Sequence, residues 1–327
     1  MQFRTEIPVP HASIELSHTQ SGLLVGSCFT TNIGTRLAEA KFPVMVNPLG
    51  TVYNPVSVAT VVDILTGKRQ FTESDVFFAN GVWQSFLLHT DFSGLSKEEV
   101  LARCNEKIAL FQEQFKNLDY AFFTLGTAWV YELVATNQIV CNCHKMPANQ
   151  FRRKRLAVAE CVSVLQAMVE SLKALNPKVE ILFTVSPIRH WKDGAHENQV
   201  SKATLLLAIE ELQKQQSSVG YFPAYELLMD DLRDYRFYDD DMLHPNKQAV
   251  EYIWQKFADY YFSEATKTLV QKIVAVRRAV EHRPFNAKSQ EYVMFVQNTI
   301  AECAHLQAQN PCLDFADEIK TLEANLR

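Results

Sequence analysis

Residues 22–29 of the chain are Gly22-Leu23-Leu24-Val25-Gly26-Ser27-Cys28-Phe29. The first five form a short apolar run that predicts a fully buried strand. A helix is then predicted from about residue 28 to residue 40, because its apolar residues have helical spacing. These residues are Phe29, Ile33, Leu37 and Ala40. Ser27 therefore lies where a buried strand passes into a helix, and the unpaired N–H groups and dipole at a helix start favour an oxyanion.

Outward from this stretch, short apolar runs alternate with amphipathic helical patterns. Strands are predicted at 43–46, 120–125 and 179–185, and helices at about 54–65, 151–175, 197–215 and 246–262. This alternation predicts an α/β fold with a mostly parallel sheet and helices on both faces. Residues 75–89 differ, because Asn80-Gly81 separates two apolar runs. That pattern predicts a small β-hairpin insertion near the site.

The pattern changes at about residue 263, after which only helical segments are predicted. Breaks occur near Arg283-Pro284 and Asn310-Pro311. We therefore predict two parts, a main domain over residues 1–262 and a C-terminal helical appendage over residues 263–327. The appendage is expected to stabilise the protein or to form a contact in a homo-oligomer.

The composition is that of an ordinary globular protein, with 327 residues, 47% hydrophobic and 21% charged. The formal net charge of -5 gives no reason to expect a nucleic-acid partner. The one basic run, residues 152–155 (RRKR), is interpreted as the solvated face of a helix. Apolar runs are far shorter than the roughly 20 residues of a membrane helix. We expect a cytoplasmic protein without membrane insertion.

The seven cysteines form an odd number, which favours reduced thiols. Cys141, Cys143 and His144 make a C-x-C-H cluster, but no second cysteine pair completes a set of four zinc ligands. A strand end with partly buried thiols is the preferred interpretation. We expect no metal and no cofactor.

A second candidate constellation is residues 241–245, Asp241-Met242-Leu243-His244-Pro245. An acid three residues before a histidine can hold one imidazole nitrogen and leave the other for a nucleophile. The plain alternative is an acidic surface loop, just as Ser27 could be an ordinary N-cap. Cys28 is the rival nucleophile, because a thiol at a helix start is reactive.

Together these stretches resemble the GSCFA family, a branch of the SGNH or GDSL hydrolases. Five stretches fit that family in order, namely 26–29 (GSCF), 47–55 (NPLGTVYNP), 125–129 (LGTAW), 186–190 (SPIRH) and 241–245 (DMLHP). The resemblance implies a three-layer, flavodoxin-like SGNH-hydrolase fold. It also implies a site made of Ser27, His244 and Asp241 at the carboxyl ends of the strands, where open α/β sheets bind ligands.

The resemblance further implies where an oxyanion would be held. The N–H groups of Ser27 and Gly50 match two donors of the usual SGNH arrangement. The third donor is usually an asparagine, and here Thr127 or Ala128 stands in its place. One missing oxyanion donor can cost about 10²–10³ in rate. The candidate substitutes are Thr127, Asn47 and Asn54.

Four further residues are candidates for the site, and each has a structural alternative. His89, at the end of the hairpin, and His190, after a strand, either contact substrate or brace their loops. Trp83 and Trp129 either line an apolar or sugar-binding wall or pack in the core, which is the more frequent use of an aromatic ring.

The predicted function is ester hydrolysis by a serine esterase, on an acetyl or acyl group of a glycan or small acylated metabolite. His244 would take the proton of Ser27 as the serine attacks the ester. Two alternatives stay open: an O-acyltransferase acting on a sugar hydroxyl, and a non-catalytic module that binds a glycan or a protein partner. The absent asparagine favours the second of these.

Overall fold

The computed structural model describes residues 4–8, 12, 14–114, 116–216 and 218–326. In chain order the elements are β1 (Gly22–Gly26), α1 (Cys28–Glu39), β2 (Val44–Val46), α2 (Pro55–Leu65), β3 (Phe77–Ala79), β4 (Val82–Gln84), α3 (Lys97–Gln114), β5 (Tyr120–Leu125), β6 (Trp129–Leu133), β7 (Ile139–Val140), β8 (Phe151–Arg155), α4 (Val158–Leu175), β9 (Glu180–Val185), α5 (Gly194–Gln215), β10 (Val219–Tyr221), α6 (Ala224–Glu226), α7 (Lys247–Tyr261), α8 (Glu264–Glu281), α9 (Gln290–Gln309) and α10 (Ala316–Ala324).

Five of these strands form a parallel sheet in the order β2-β1-β5-β9-β10. Numbered along the chain, this is the flavodoxin-like order 2-1-3-4-5. The order of connection reverses between β1 and β5, and the crevice beyond the carboxyl ends of these strands is where such sheets bind ligands. The α/β, flavodoxin-like prediction is confirmed.

The sheet is covered on both faces, so the fold has three layers. Side chains alternate across a strand. Leu23 and Val25 of β1 accordingly belong to one core with α2, α3, α4 and α5, whereas Leu24 packs on the opposite face with α1 and α7. Strands that are buried on both faces are continuously apolar, which is why β1 and β5 were recognisable in the sequence.

Two small antiparallel sheets stand beside the main one. Strands β3 and β4 form the predicted hairpin, and Asn80 (φ 54°) and Gly81 (φ 81°) supply the positive φ angles that such a tight turn requires. A second sheet, in the order β7-β6-β8, was not predicted. It inserts between β5 and α4, and we call residues 129–155 the flap.

The basic run at 152–155 corrects one prediction. It belongs to strand β8 rather than to a helix, and α4 begins only at Val158. In the register of β6 and β8, Tyr131 is opposite Arg153, and the Arg153 guanidinium lies 4.2 Å from the centre of the Trp129 ring. Pairing with an aromatic strand therefore overrides the local preference of this basic segment for a helix.

Helices α8, α9 and α10 form a small core of their own, as the all-helical pattern predicted. Ion pairs join them to the end of α1: Arg277 with Glu39 at 2.6 Å, and Glu318 with Lys41 at 2.8 Å. Within the described ranges, no helix is both long enough and apolar enough to cross a membrane.

Candidate active site

A cavity of about 690 Å³ opens beyond the carboxyl ends of the central strands. Ser27 follows β1, Thr127 comes just after β5, and Ser186 follows β9; all three line it. The flap supplies the facing wall through residues that include Trp129, Tyr131, Cys141, Cys143, Phe151 and Arg153. The site therefore lies at the switch point of the sheet, roofed by a segment that the sequence did not reveal.

Ser27 is the N-cap of α1 and is only 1% exposed. Its Oγ accepts a hydrogen bond from the N–H of Phe29 at 3.3 Å. Among the described residues, nothing accepts the hydroxyl proton of Ser27. The serine is thus both the predicted helix cap and a cavity residue with a proton to donate.

Asp241 and His244 form a pair within one tight turn. Oδ2 of Asp241 lies 2.5 Å from Nδ1 of His244, and Oδ1 accepts the backbone N–H groups of Leu243 and His244, each at 2.9 Å. Met242 makes the turn possible with a φ of 59°. The hydrogen bonds from the backbone and side chain of His244 lower the pKa of Asp241 to about 2. With the predicted three-residue spacing, the charged Asp241 carboxylate therefore lies against the His244 imidazole.

His244 and Ser27 line the same cavity, although they come from opposite ends of the main domain. Both are described residues, and no hydrogen bond joins them in this structure. The His244 side chain is 49% exposed, at the rim, whereas Ser27 lies at the floor. For the two side chains to share a proton, the ring would have to move inward; catalytic hydrogen bonds are often long before substrate binds.

The two backbone donors expected for an oxyanion are already engaged. The N–H of Ser27 donates to Thr124 O at 3.3 Å, and the N–H of Gly50 donates to Asn47 O at 2.8 Å. The first bond is longer than the usual value of about 2.9–3.0 Å and is the easier to break. Gly50 instead packs under His89: a Cβ on Gly50 would lie 2.0 Å from that of His89. The structure does not bring Gly50 to the cavity wall.

The three substitute donors differ in how their side chains are used. Thr127 Oγ accepts from the N–H of Trp129 at 3.1 Å and lies 3.0 Å from Ser201 Oγ. Asn47 accepts from Gly26 at 2.9 Å and donates to Thr31 at 3.1 Å. Both are therefore committed to bonds within the protein.

Asn54 is the exception. It caps α2 by accepting the N–H of Ser57 on Oδ1 at 2.9 Å, which turns its NH₂ group away from the helix. The residue is 7% exposed and lines the cavity. In the described part of the chain its Nδ2 has no acceptor, so this amide is the available side-chain donor among the three.

Both predicted histidines line the cavity. Nδ1 of His89 lies 3.0 Å from Oδ2 of Asp91, which makes a second histidine–aspartate pair at the rim. The His190 ring packs edge-on against Tyr53, with ring centroids 5.7 Å apart, and the backbone N–H of His190 donates to Oδ1 of Asn198 at 3.0 Å. Burial lowers the pKa of His190 to about 4, so its imidazole is neutral near pH 7.

Lys202 is a site residue that the sequence interpretation missed. It is 1% exposed, and its Nζ donates to Gly126 O at 2.6 Å and to Ser186 O at 2.7 Å. It thereby joins the carboxyl ends of β5 and β9 beneath the cavity. Its position three residues before Leu205, on the buried stripe of α5, was the one available signal.

Some of the remaining candidates line the cavity, and others pack elsewhere in the protein. Trp129 lines the cavity, whereas Trp83 packs beside Phe78 in the hairpin, with ring centroids 5.6 Å apart. Cys28 also lines the cavity, and burial raises the pKa of its thiol. Cys141 follows β7 and is partly buried, which confirms the interpretation of that cluster as a strand end.

Three solved structures match this chain at low similarity. They are an acetyl xylan esterase from Butyrivibrio proteoclasticus (9% identity, TM-score 0.40, 75% of this chain and 64% of that chain), a carbohydrate esterase family 3 protein from Talaromyces cellulolyticus (12%, 0.34, 78% and 99%) and an acetyl esterase mutant with an acetate ion (15%, 0.31, 79% and 99%). The first match spans less than two thirds of the esterase chain. Curated protein sequences showed no significant match.

Family models cover most of the chain. The GSCFA family model matches residues 22–257, which include all five of the stretches quoted above, from 26–29 to 241–245. The model described as the GSCFA domain protein, C-terminal domain, matches residues 273–327, within the helical appendage. With the motifs in order and the sheet in the expected topology, this chain belongs to the GSCFA family.

Proposed function

We propose that this chain is a serine esterase with Ser27 as nucleophile, His244 as base and Asp241 as the group that orients the base. The observation that carries the proposal is that a helix-capping serine and a histidine held by an aspartate line one cavity at the switch point of the sheet. The three residue types, with the aspartate bonded to one ring nitrogen of the histidine, are those of a hydroxyl nucleophile activated by an oriented base.

In the first half-reaction, Oγ of Ser27 attacks the ester carbonyl carbon as its proton passes to Nε2 of His244. The Nδ1–H of His244 donates to Asp241, which stabilises the imidazolium. Asn54 Nδ2 donates to the oxyanion, joined by the Ser27 N–H if its long bond to Thr124 opens. The C–O bond to the leaving alcohol then breaks, and the alkoxide takes the proton from His244.

In the second half-reaction, His244 removes a proton from water, whose oxygen attacks the acyl-enzyme. The bond between the acyl carbon and Oγ breaks, Ser27 recovers the proton, and the carboxylic acid leaves. A cavity of about 690 Å³ holds a small acyl ester with one sugar-sized leaving group. We propose an acetyl or acyl ester of a glycan or small metabolite as substrate. The division at residue 262 and the cytoplasmic location stay predictions.

The test is replacement of the nucleophile. Ser27→Ala should lower hydrolysis of p-nitrophenyl acetate by about 10³-fold or more and abolish labelling by a fluorophosphonate probe. Ser163→Ala, an exposed serine on α4, is the matched control and should keep full activity. A fully active Ser27→Ala protein would exclude the proposal.

One observation favours a second candidate function. The Ser27 N–H, the Gly50 N–H and the Thr127 hydroxyl are all engaged within the protein, as in a module that binds a glycan without catalysis. A wild-type chain that hydrolyses no ester and takes up no probe would support this module. Acyl transfer to a sugar hydroxyl stays a prediction, which analysis of the products with sugar acceptors tests.

A further inference from the structure

The charged groups that line the cavity are unbalanced. Among the described residues of its wall, Arg153, Arg189 and Lys192 are cationic and Asp193 is the one carboxylate. Asp193 is paired with Arg153. Arg189 and Lys192 therefore face the cavity without a compensating acid in that wall. The chain as a whole has a net charge of -5, so this excess of positive charge is a local property.

Arg189 is the least compensated of these cations. It is half-buried, and one of its guanidinium nitrogens lies 3.1 Å from the thioether sulfur of Met229, a weak acceptor. Within the described chain no carboxylate lies within ion-pair distance of Arg189. Partial burial of an unpaired charge is costly, and a guanidinium fork matches the oxygens of a carboxylate or phosphate. The Arg189 guanidinium is therefore suited to bind an anionic group of a ligand.

Lys192 lies on the same loop, three residues further on. Its Nζ donates to the hydroxyl of Tyr131 on the flap at 2.7 Å. An ammonium has three N–H donors, so two remain for a ligand. Lys192 and Arg189 lie on either side of His190, whose pKa is lowered first by burial and further by Lys202, Lys192 and Arg153. The His190 imidazole between them adds no positive charge, so Arg189 and Lys192 are the two groups on this loop that can bind an anion.

We propose that the substrate of this site carries an oxyanion group, a carboxylate or a phosphate, that binds Arg189 and Lys192 while its ester reaches Ser27. This inference rests on the proposed esterase function and adds the chemical class of the substrate. The anion contacts the loop after β9, and the acyl group lies over the carboxyl end of β1. An acidic sugar or an acidic small metabolite that bears an acyl ester has the required chemistry.

A pair of matched esters tests the inference. para-Acetoxybenzoate is anionic, and para-acetoxybenzamide is its neutral counterpart. The anionic ester should be the better substrate by about 10- to 100-fold in kcat/KM, the effect of one or two charge-assisted hydrogen bonds. Raising the salt concentration should narrow the difference, because exposed charges are screened.

Single substitutions show which residues cause the preference for the anionic ester. Arg189→Gln should reduce the ratio of the two rates towards one while the neutral ester is still hydrolysed, and Lys192→Gln should reduce it in part. Lys154→Gln is the control: it removes a cation from the flap, but one that is paired with Glu160 and does not line the cavity. Circular dichroism verifies that each variant is folded.

A binding measurement separates this inference from the esterase proposal. Calorimetry on the Ser27→Ala protein compares the affinities of para-acetamidobenzoate and para-acetamidobenzamide. Both compounds are amides, so their binding is measured without a catalytic step. Tighter binding of the anion, lost in the Ser27→Ala, Arg189→Gln double variant, supports the inference even if the single Ser27→Ala protein still hydrolyses esters. Equal binding of the two compounds, or an unchanged preference in folded Arg189→Gln and Lys192→Gln proteins, would overturn it.

Discussion

Asp241 holds His244 with both of its carboxylate oxygens, one 2.5 Å from ring atom Nδ1 and the other accepting the backbone N–H of the same histidine at 2.9 Å. One side chain thus fixes both the ring and the turn that carries it. Nε2 is left as the nitrogen that can approach Ser27. Four consecutive residues therefore orient the proposed base, while the proposed nucleophile comes from the other end of the domain.

Replacement of Asp241 by Asn should lower kcat by about 10²–10⁴-fold, because an amide no longer stabilises the imidazolium or selects the tautomer with hydrogen on Nδ1. Steady-state kinetics with p-nitrophenyl acetate measures the effect. The neighbouring Asp240→Asn change is the control, since among the described residues the Asp241 carboxylate bonds the imidazole and that of Asp240 does not. Equal activity of the two variants would contradict the role of Asp241.

Replacement of Asn54 by Ser should lower kcat by about 10²–10³-fold with little loss of stability. Serine is as good an N-cap as asparagine, so α2 keeps its first turn, but the shorter side chain cannot reach an oxyanion. Ser289→Asn, the reverse exchange at the cap of α9 in the appendage, is the control and should retain kcat. A normal kcat in Asn54→Ser would leave the oxyanion to the backbone alone.

Replacement of Cys28 by Ala should leave most of the esterase activity and the fluorophosphonate labelling intact. Burial raises the pKa of the Cys28 thiol, which lowers its thiolate fraction and hence its nucleophilicity. Alkylation by iodoacetamide, followed by mass spectrometry, should be slower at Cys28 than at the exposed Cys312. Loss of labelling in Cys28→Ala, with labelling kept in Ser27→Ala, would identify the thiol as the nucleophile.

Lys202 should make stability depend on pH. Burial lowers its pKa from 10.5 to about 7, so between these values the unfolded chain binds more protons than the folded one, and stability rises with pH. At about pH 9, Lys202→Met should be less stable than the wild type by about 1–3 kcal/mol for each unpaired carbonyl. The difference should shrink as the pH falls towards 7, where the native state buries a charged ammonium.

Urea unfolding across this pH range measures the difference between wild type and Lys202→Met. Lys214→Met is the control, because Lys214 is an exposed residue of the same helix paired with Glu210. Its difference from the wild type should not change in the same window. If the difference in unfolding free energy between wild type and Lys202→Met does not change with pH, the pKa of Lys202 is not lowered by folding.

Four of the five strands of the main sheet, and the residues proposed for the site, were predictable from the sequence, whereas the short edge strand β10 was not. Continuous apolar runs mark β1, β5 and β9 because strands of a covered parallel sheet are buried on both faces. Asn54 and Pro55 mark the start of α2, and Asn80-Gly81 marks the hairpin, because each supplies backbone geometry that few other residues supply. The Asp241–His244 pair was predictable because the two residues that form the contact are only three positions apart in the chain.

The surroundings of these groups depend on contacts that form only when the chain folds. The flap was missed because strand β8 is basic and forms only by pairing with the aromatic strand β6, a contact between distant residues. Lys202, Arg189 and Lys192 resemble ordinary surface cations until the fold places them under or beside the cavity. Whether the Gly50 N–H, the Thr127 hydroxyl or the Asn54 amide is free also depends on partners brought together by folding. Local patterns determine local geometry, whereas burial and the choice of hydrogen-bond partner are set by residues far apart in the chain.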